Sequence, residues 1–393
     1  MKFIPYGHQS IDNNDINTVK KTLRNELITT GKEVDNFEKI FSKSVGSKYA
    51  LTCSSGTAAL HLCFLSLNIK KNDIVILPII NFIASVNMSY LIGANIFFAD
   101  VDEITGQMTP DTLIQCIKKN KIKKIKAVVT MYNGGAPNNA KQFLRIKKKY
   151  NFFLIEDACH ALGGRYSIKE NIKVGSCKYS DLTTFSLHPV KSITTGEGGM
   201  ITTNNLILKN KIMVLRNHGI VRDKLSKKKN NWSYKIVRPG FNYRLSDISC
   251  ALGASQIKRL STFIKKRGNI FNYYHEFLKN FSDLLQLQIK NHDQISGNHL
   301  FIVIFKTKKL KVSRDEIIQK LFRKKIISQV HYAPINHHPF YKKKIKGTFS
   351  GANNYFKNCL SLPIYPDLKI KEVKFVCDCL KDILKKNVKK KNS

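Results

Sequence analysis

Between about residues 50 and 205, short apolar runs alternate with stretches in which apolar side chains recur every three or four positions. The runs at 73–79, 94–101, 126–132, 152–157, 182–187 and 199–203 are nearly continuous in apolar residues, as strands covered on both faces require. Helix signals separate them. Thr109-Pro110-Asp111, for instance, is a cap followed by proline at the first helical position. This alternation predicts an open, mostly parallel α/β sheet.

Ahead of that sheet, Ile16, Val19 and Leu23 form one amphipathic stripe, and Phe37, Ile40 and Phe41 form another. After Leu252 the pattern changes to a long basic helix at 256–277, hairpin-like strands at 299–305 and 328–332, and a last helix at 371–384 that runs into a charged, frayed tail at 385–393. No internal repeat is visible. The 393 residues suffice for two units: a large domain over 1–250 that includes the N-terminal helical segment, and a smaller C-terminal α+β domain over 251–393 with a basic tail.

Composition adds little to the fold and more to the choice of partner. Hydrophobic residues at 42% and charged residues at 24% are ordinary globular values. The net charge of +40 is not ordinary, and it would attract a dianionic substrate. The excess is mostly lysine scattered along the whole chain, and the runs at 118–126, 147–149 and 227–229 are short, separate and not interleaved with aromatics. That pattern fits solvated surface and predicts no specific nucleic-acid partner. The nine cysteines show no CxxC pair and read as buried reduced thiols. His337 and His338 are adjacent and lack helical ligand spacing, so no metal is expected. The first residues lack the apolar run of a signal peptide, and no stretch is long enough to span a bilayer, which points to a cytoplasmic protein without a membrane partner.

In open α/β sheets ligands bind beyond the carboxyl ends of the strands, and three segments could place chemistry there. Ser54-Ser55-Gly56-Thr57-Ala58-Ala59-Leu60 is a small-residue turn opening a helix. Its N–H groups and dipole suit an anion, although an ordinary helix cap looks the same. The run at 152–157 ends in Glu156 and Asp157, with His160 three residues further on. A carboxylate at a buried strand end needs a cation, and a protonated pyridine nitrogen facing Asp157 would supply one; a cap after a strand is the other reading. In the third segment Lys191 sits among small, uncharged residues between two apolar strands, with Ser186 at the preceding strand end. A desolvated lysine has a lowered pKa, which frees its amine to form a Schiff base. Anion cradle, pyridinium partner and Schiff-base lysine, in that order, are the parts of a pyridoxal phosphate (PLP) site.

With those residues in place, the chain resembles the DegT/StrS family of PLP-dependent sugar-nucleotide aminotransferases over nearly its whole length. The family's phosphate turn appears as SSGTAAL, its aspartate segment as EDACHALGG and its lysine segment as FSLHPVKSITTGEGG; RNHG, FNYRLSDI and SQVHYAPI are further matches. The resemblance implies a fold-type I PLP transferase in which Lys191, Asp157 and His160 are catalytic, Lys191 forming the Schiff base, Asp157 pairing with the ring nitrogen and His160 lying near the phenolic oxygen. It further implies that Phe82 stacks on the ring and that Gly56, Thr57, Ala58 and Ser186 hold the phosphate. Asn242 would reach that phosphate from a neighbouring subunit, so a homodimer with shared active sites is expected. Tyr6, Glu26, Leu27, Ile28, Thr29, His331, Tyr332 and Ala333 fall where substrate contacts lie.

Three pieces, the lysine segment, GNHLFIVIF and IISQVHYAPINHHPFY, resemble the pseudaminic acid branch of the family. That implies L-glutamate as amino donor, a UDP-linked 4-keto-6-deoxy-N-acetylhexosamine as acceptor, and UDP-4-amino-4,6-dideoxy-N-acetyl-beta-L-altrosamine as product. The alternatives are another nucleotide-linked keto-sugar of the perosamine or bacillosamine type, and a non-catalytic PLP-binding regulator on the same fold. A sugar dehydratase of this fold carries His where this chain has Lys191. Thr30 and Asn81 depart from the family pattern, as does the MYNGGAPNN segment.

Overall fold

All six apolar runs become strands of a single seven-stranded sheet. The computed structural model describes residues 2–222, 233–288 and 293–389. In chain order the strands are β1 (Tyr49–Cys53), β2 (Ile74–Pro78), β3 (Asn95–Ala99), β4 (Ala127–Met131), β5 (Phe153–Asp157), β6 (Leu182–Ser186) and β7 (Gly199–Thr203). Across the sheet the order is β1-β7-β6-β5-β4-β2-β3. Strands β2 to β6 run parallel, and β7 runs antiparallel to both β6 and β1. β1 carries no strong sequence signal, because Thr52 interrupts a run of only five residues.

The helices cover both faces, as a buried parallel sheet demands. α1 (Asn13–Thr22) opens with a reciprocal capping box between Asp12 and Asp15. Its predicted stripe is not its docking face: Ile16 and Leu23 are exposed, and the buried residues are Asp15 and Thr22. Asp15 docks the helix by accepting from Gln256 Nε2 at 2.6 Å and pairing with Arg259. α2 (Lys32–Val45) buries Phe37 and Phe41 as expected. α3 (Gly56–Ser66) is almost wholly buried, and the helix Pro110–Lys119 begins at the predicted Thr109 cap.

The long basic helix proves to be two, α8 (Asp247–Lys258) and α9 (Leu260–Leu278), with α4 to α7 being Ala84–Leu91, Pro110–Lys119, Ala140–Tyr150 and Leu206–Leu215. The break at Arg259 lets α8 pack on α1 and α2 while α9 packs Phe271 and Tyr274 against Phe301 of a second sheet. That sheet is antiparallel in the order β8 (Leu285–Leu287), β9 (Phe301–Phe305), β10 (Cys359–Leu362). Residues 328–332 are not a strand. A single bridge joins Gln329 to Ser361, and the segment then turns His331 and Tyr332 toward the large sheet instead of continuing the ladder.

The last helix is Ile370–Lys386, and the start of the tail is held rather than frayed, since Val388 bridges Leu310 and the Lys389 N–H donates to Lys309 O at 3.0 Å. At the other terminus Ile4 pairs with Ile326 and lies in the apolar core of the second sheet. Seven of the nine cysteines are buried, and all nine are unpaired. Among the described residues no helix is long and apolar enough to cross a membrane.

Candidate active site

Because β4, β5 and β6 run parallel, their carboxyl ends share one edge of the sheet, and the turn from β1 into α3 arrives beside it. A Cβ on Gly56 would stand 3.0 Å from Ser186 Cβ and 3.5 Å from Cys159 Sγ, so the small-residue turn, the end of β6 and the loop after β5 converge there. Ser55 caps α3, its hydroxyl accepting from Ala58 N at 3.1 Å. The cap and the small-residue turn are therefore the same structure. The first-turn N–H groups of Gly56 and Thr57 have no acceptor within the helix by geometry and stand at its positive end.

Alternation along β5 sends its two carboxylates to opposite sides. Glu156 is buried and accepts from the hydroxyls of Tyr132, Tyr166 (2.6 Å), Ser180 (2.8 Å) and Thr183 (2.9 Å), so hydroxyl groups rather than a cation satisfy it. Asp157, 3% exposed, accepts from Cys159 N at 3.1 Å. Burial pushes its carboxyl above the ordinary range, and the Cys159 hydrogen bonds and the charge of Lys191 pull it back.

Lys191 lies in the turn after β6, half-buried, its main-chain N–H donating to His188 O at 2.9 Å. The protein around its amine desolvates the charge and lowers its pKa; Cys159 and Asp157 oppose the shift, and the guanidinium of Arg267 adds to it. Lys191 and Asp157 thus share one electrostatic environment, as a Schiff-base amine and a pyridinium partner must.

His160 is buried beside them. Its Nε2 meets Tyr332 Oη at 3.1 Å, and its Nδ1 has no hydrogen-bond partner among the described residues. Burial, then the charges of Lys191 and His331, hold its pKa well below the usual imidazole value. Tyr332 also approaches the half-exposed Phe82, with ring centroids 5.9 Å apart, and Tyr6 stands 5.7 Å from His331. His331 Nδ1 is 2.9 Å from Ser361 Oγ, and its carbonyl accepts from Tyr355 Oη at 2.7 Å. Ala333 follows, half-buried. The structure therefore brings Lys191, Asp157, His160, Phe82, Ser186, Gly56, Tyr332, His331 and Tyr6 into one neighbourhood.

It does not bring every expected residue there. Glu26, Leu27, Ile28 and Thr29 are exposed and hang from the start of α8: Ile28 O accepts from Asp247 N at 2.9 Å, and Thr29 pairs with Ser246. Asn242 is exposed and pairs with Asn217, next to Tyr243, whose carbonyl accepts from Ser54 N at 2.9 Å. No described contact joins either group to Lys191.

Two residues of the cluster escape the sequence reading. His299 is buried with its ring 4.2 Å from that of His160, and its Nδ1 has no partner among the described residues. Arg267 is fully buried, hidden in sequence beside Lys265 and Lys266; its spacing from Phe263, Ile270 and Tyr274 was the available signal. The unusual Asn81 is buried, donating to Pro78 O and accepting from Ser85 Oγ at 3.1 Å, which makes it a turn-holder. Asn133, in the aberrant MYNGGAPNN segment, donates to Tyr355 Oη at 2.7 Å and to His331 O at 3.3 Å, backing the site. Among the described residues no group of three potential ligands could hold a metal. The lysine run at 227–229 lies outside the described residues.

Comparison with known proteins shows the family of the chain. The DegT/DnrJ/EryC1/StrS aminotransferase family matches residues 9–381. A UDP-4-amino-4,6-dideoxy-N-acetyl-beta-L-altrosamine transaminase of Campylobacter jejuni subsp. jejuni serotype O:23/36 (strain 81-176) is 39% identical over 388 residues, covering 98% of either chain. PseC of Helicobacter pylori, an aminotransferase involved in the biosynthesis of pseudoaminic acid, superposes with a TM-score of 0.89 at 26% identity, covering 98% of this chain and all of that one. Spr1654 of Streptococcus pneumoniae, solved in its PMP-form, gives 0.90 at 27% identity, with 98% and 99% covered, and its PLP-form is also similar.

Proposed function

Because this chain belongs to the DegT/DnrJ/EryC1/StrS aminotransferase family, a family of PLP enzymes, we propose that it moves the amino group of L-glutamate onto a UDP-linked 4-keto-6-deoxy-N-acetylhexosamine. The product is UDP-4-amino-4,6-dideoxy-N-acetyl-beta-L-altrosamine, a precursor of pseudaminic acid. The name of the 39% identical relative and that of the similar PseC structure support this choice of substrate. One observation carries the chemistry: a desolvated amine, Lys191, shares its pocket with a buried carboxyl, Asp157.

The residues present fit PLP. Among the described residues the buried Nδ1 of His160 lacks a partner, Gly56 leaves room beside Ser186, and the buried carboxyl of Asp157 would be balanced by a cationic ring. When bound, PLP supplies an aldehyde that captures amines and a ring that accepts electrons as a C–H bond breaks. The first turn of α3, with Gly56, Thr57 and Ala58, holds the phosphate together with the Ser186 hydroxyl. Asp157 keeps the ring nitrogen protonated. His160, which Tyr332 orients, and Phe82, which Tyr332 also approaches, would hold the ring.

Lys191, whose ammonium form is disfavoured by desolvation, would move a proton between the substrate carbon and the cofactor. Tyr6, His331, Tyr332 and Ala333 line the sugar side. Glu26 to Thr29 and Asn242, exposed in the single chain, complete the site of a second copy in a cytoplasmic homodimer.

Incubation with L-glutamate and UDP-linked 4-keto-6-deoxy sugars of the altro and gluco series, read by mass spectrometry, tests the substrate. Amination of the altro sugar is expected, and amination of the gluco sugar alone would refute the assignment. Lys191→Ala is expected to abolish turnover and borohydride trapping of the cofactor; retained turnover would refute the mechanism.

A further inference from the structure

A guanidinium with no exposed surface calls for a carboxylate. Arg267, the largest of the fully buried side chains, has none: among the described residues no ion pair reaches it. Main-chain carbonyls from three distant segments surround it instead. Its Nη1 donates to Ile364 O at 2.8 Å and to His299 O at 3.3 Å, and its Nη2 to Val190 O at 3.4 Å, while its Nε has no partner among the described residues.

Each carbonyl belongs to a part of the site. Val190 directly precedes Lys191. The ring of His299 lies 4.2 Å from that of His160, tilted by 40°, and Ile364 N donates to the carbonyl of Tyr6 at 3.0 Å. α9 thus projects one side chain into the seam where the Lys191 turn, the approach to β9 and the segment after β10 meet. A cation without a counterion is costly to keep there, and carbonyl dipoles offset only part of the cost.

We propose that Arg267 is a positioning residue of the transamination site: it ties the turn carrying Lys191 to the second sheet and holds a permanent positive charge near that amine. The proposal rests on the reading of Lys191 as the cofactor-bearing amine. The charges facing Lys191 are consistent with it. Asp157 and Cys159 favour the ammonium form and Arg267 opposes it, while the neighbouring His160, His299 and His331 are all held toward their neutral forms. The pKa of Arg267 is itself lowered, to about 10, which leaves it charged at neutral pH.

Competitive acylation of the full-length, cofactor-free chain across a pH series, with mass spectrometry of the Lys191 peptide against the other lysine peptides, reads the charge state of this amine directly. Arg267→Met removes the charge and keeps the length of the side chain; Arg267→Lys keeps the charge. In Arg267→Met the Lys191 reactivity at neutral pH is expected to fall about tenfold, equivalent to an upward shift of about one pKa unit, with the other lysines unchanged and Arg267→Lys close to the parent protein. A Lys191 curve in Arg267→Met that superimposes on the parent's overturns the proposal.

Should the methionine variant not fold, Arg267→Gln keeps N–H donors for the carbonyls without the charge and is judged by the same shift. Borohydride trapping of PLP on Lys191 in the unsubstituted protein tests the cofactor reading separately, so the two failures are distinguishable.

Discussion

Adjacent carboxylates at the end of β5 have opposite fates, and the difference can be measured. Glu156 is held by four hydroxyl groups, so Glu156→Ala strands buried donors and is expected to lower stability by about 3 kcal/mol in urea unfolding. Asp157 accepts from one N–H among the described residues and feels the charge of Lys191, so Asp157→Asn should leave the melting temperature near that of the parent while lowering turnover at least about a hundredfold. The sequence shows both acids, and the period of two puts them on opposite faces. It does not say which face holds Lys191, because that depends on Ser180, Thr183 and Lys191 arriving from residues far along the chain.

At the scale of elements, the central strands were legible because a strand buried on both faces has to be apolar throughout. What escaped had weaker local signals. β1 is short and carries Thr52. Residues 328–332 alternate like a strand, yet His331 and Tyr332 serve the site instead of the ladder. The stripe on α1 is real, but the helix docks by Asp15. The expected substrate contacts Glu26 to Thr29 and the expected phosphate contact Asn242 were harder still, since among the described residues none of them touches Lys191. One close approach of elements can be tested directly. A Cβ on Gly199 of β7 would lie 2.2 Å from Ser55 O and 2.9 Å from Cys53 Sγ, so Gly199→Ala must displace the turn that opens α3. Weaker PLP binding by at least about tenfold, followed by fluorescence titration, is the expected result, with a stability loss of about 1–3 kcal/mol.

For the whole molecule, the buried imidazoles set a limit on acid tolerance. Burial lowers the pKa values of His160, His299 and His331, that of His331 to about 3. In the unfolded chain they titrate near about 6.5. Below that pH the unfolded chain binds protons that the folded chain refuses, so each group erodes stability by up to about 1.4 kcal/mol per pH unit, for His331 down to about pH 3. Asp157, with its raised pKa, works in the other direction, favouring the fold as pH drops, but it is one group against three. Melting temperatures should therefore fall steadily from neutrality to about pH 5 at constant ionic strength; a flat profile would contradict the burial of these rings.

The pairing of Ile4 with Ile326, and of Tyr6 O with Ile364 N, also governs how the polypeptide folds. Residues 4 and 6 meet partners more than three hundred positions further along, so this seam beside the second sheet is built from contacts of high sequence separation that form late in folding. An extension fused just ahead of Ile4 would hang two residues from Tyr6, whose ring lies 5.7 Å from that of His331, and would crowd that side of the pocket.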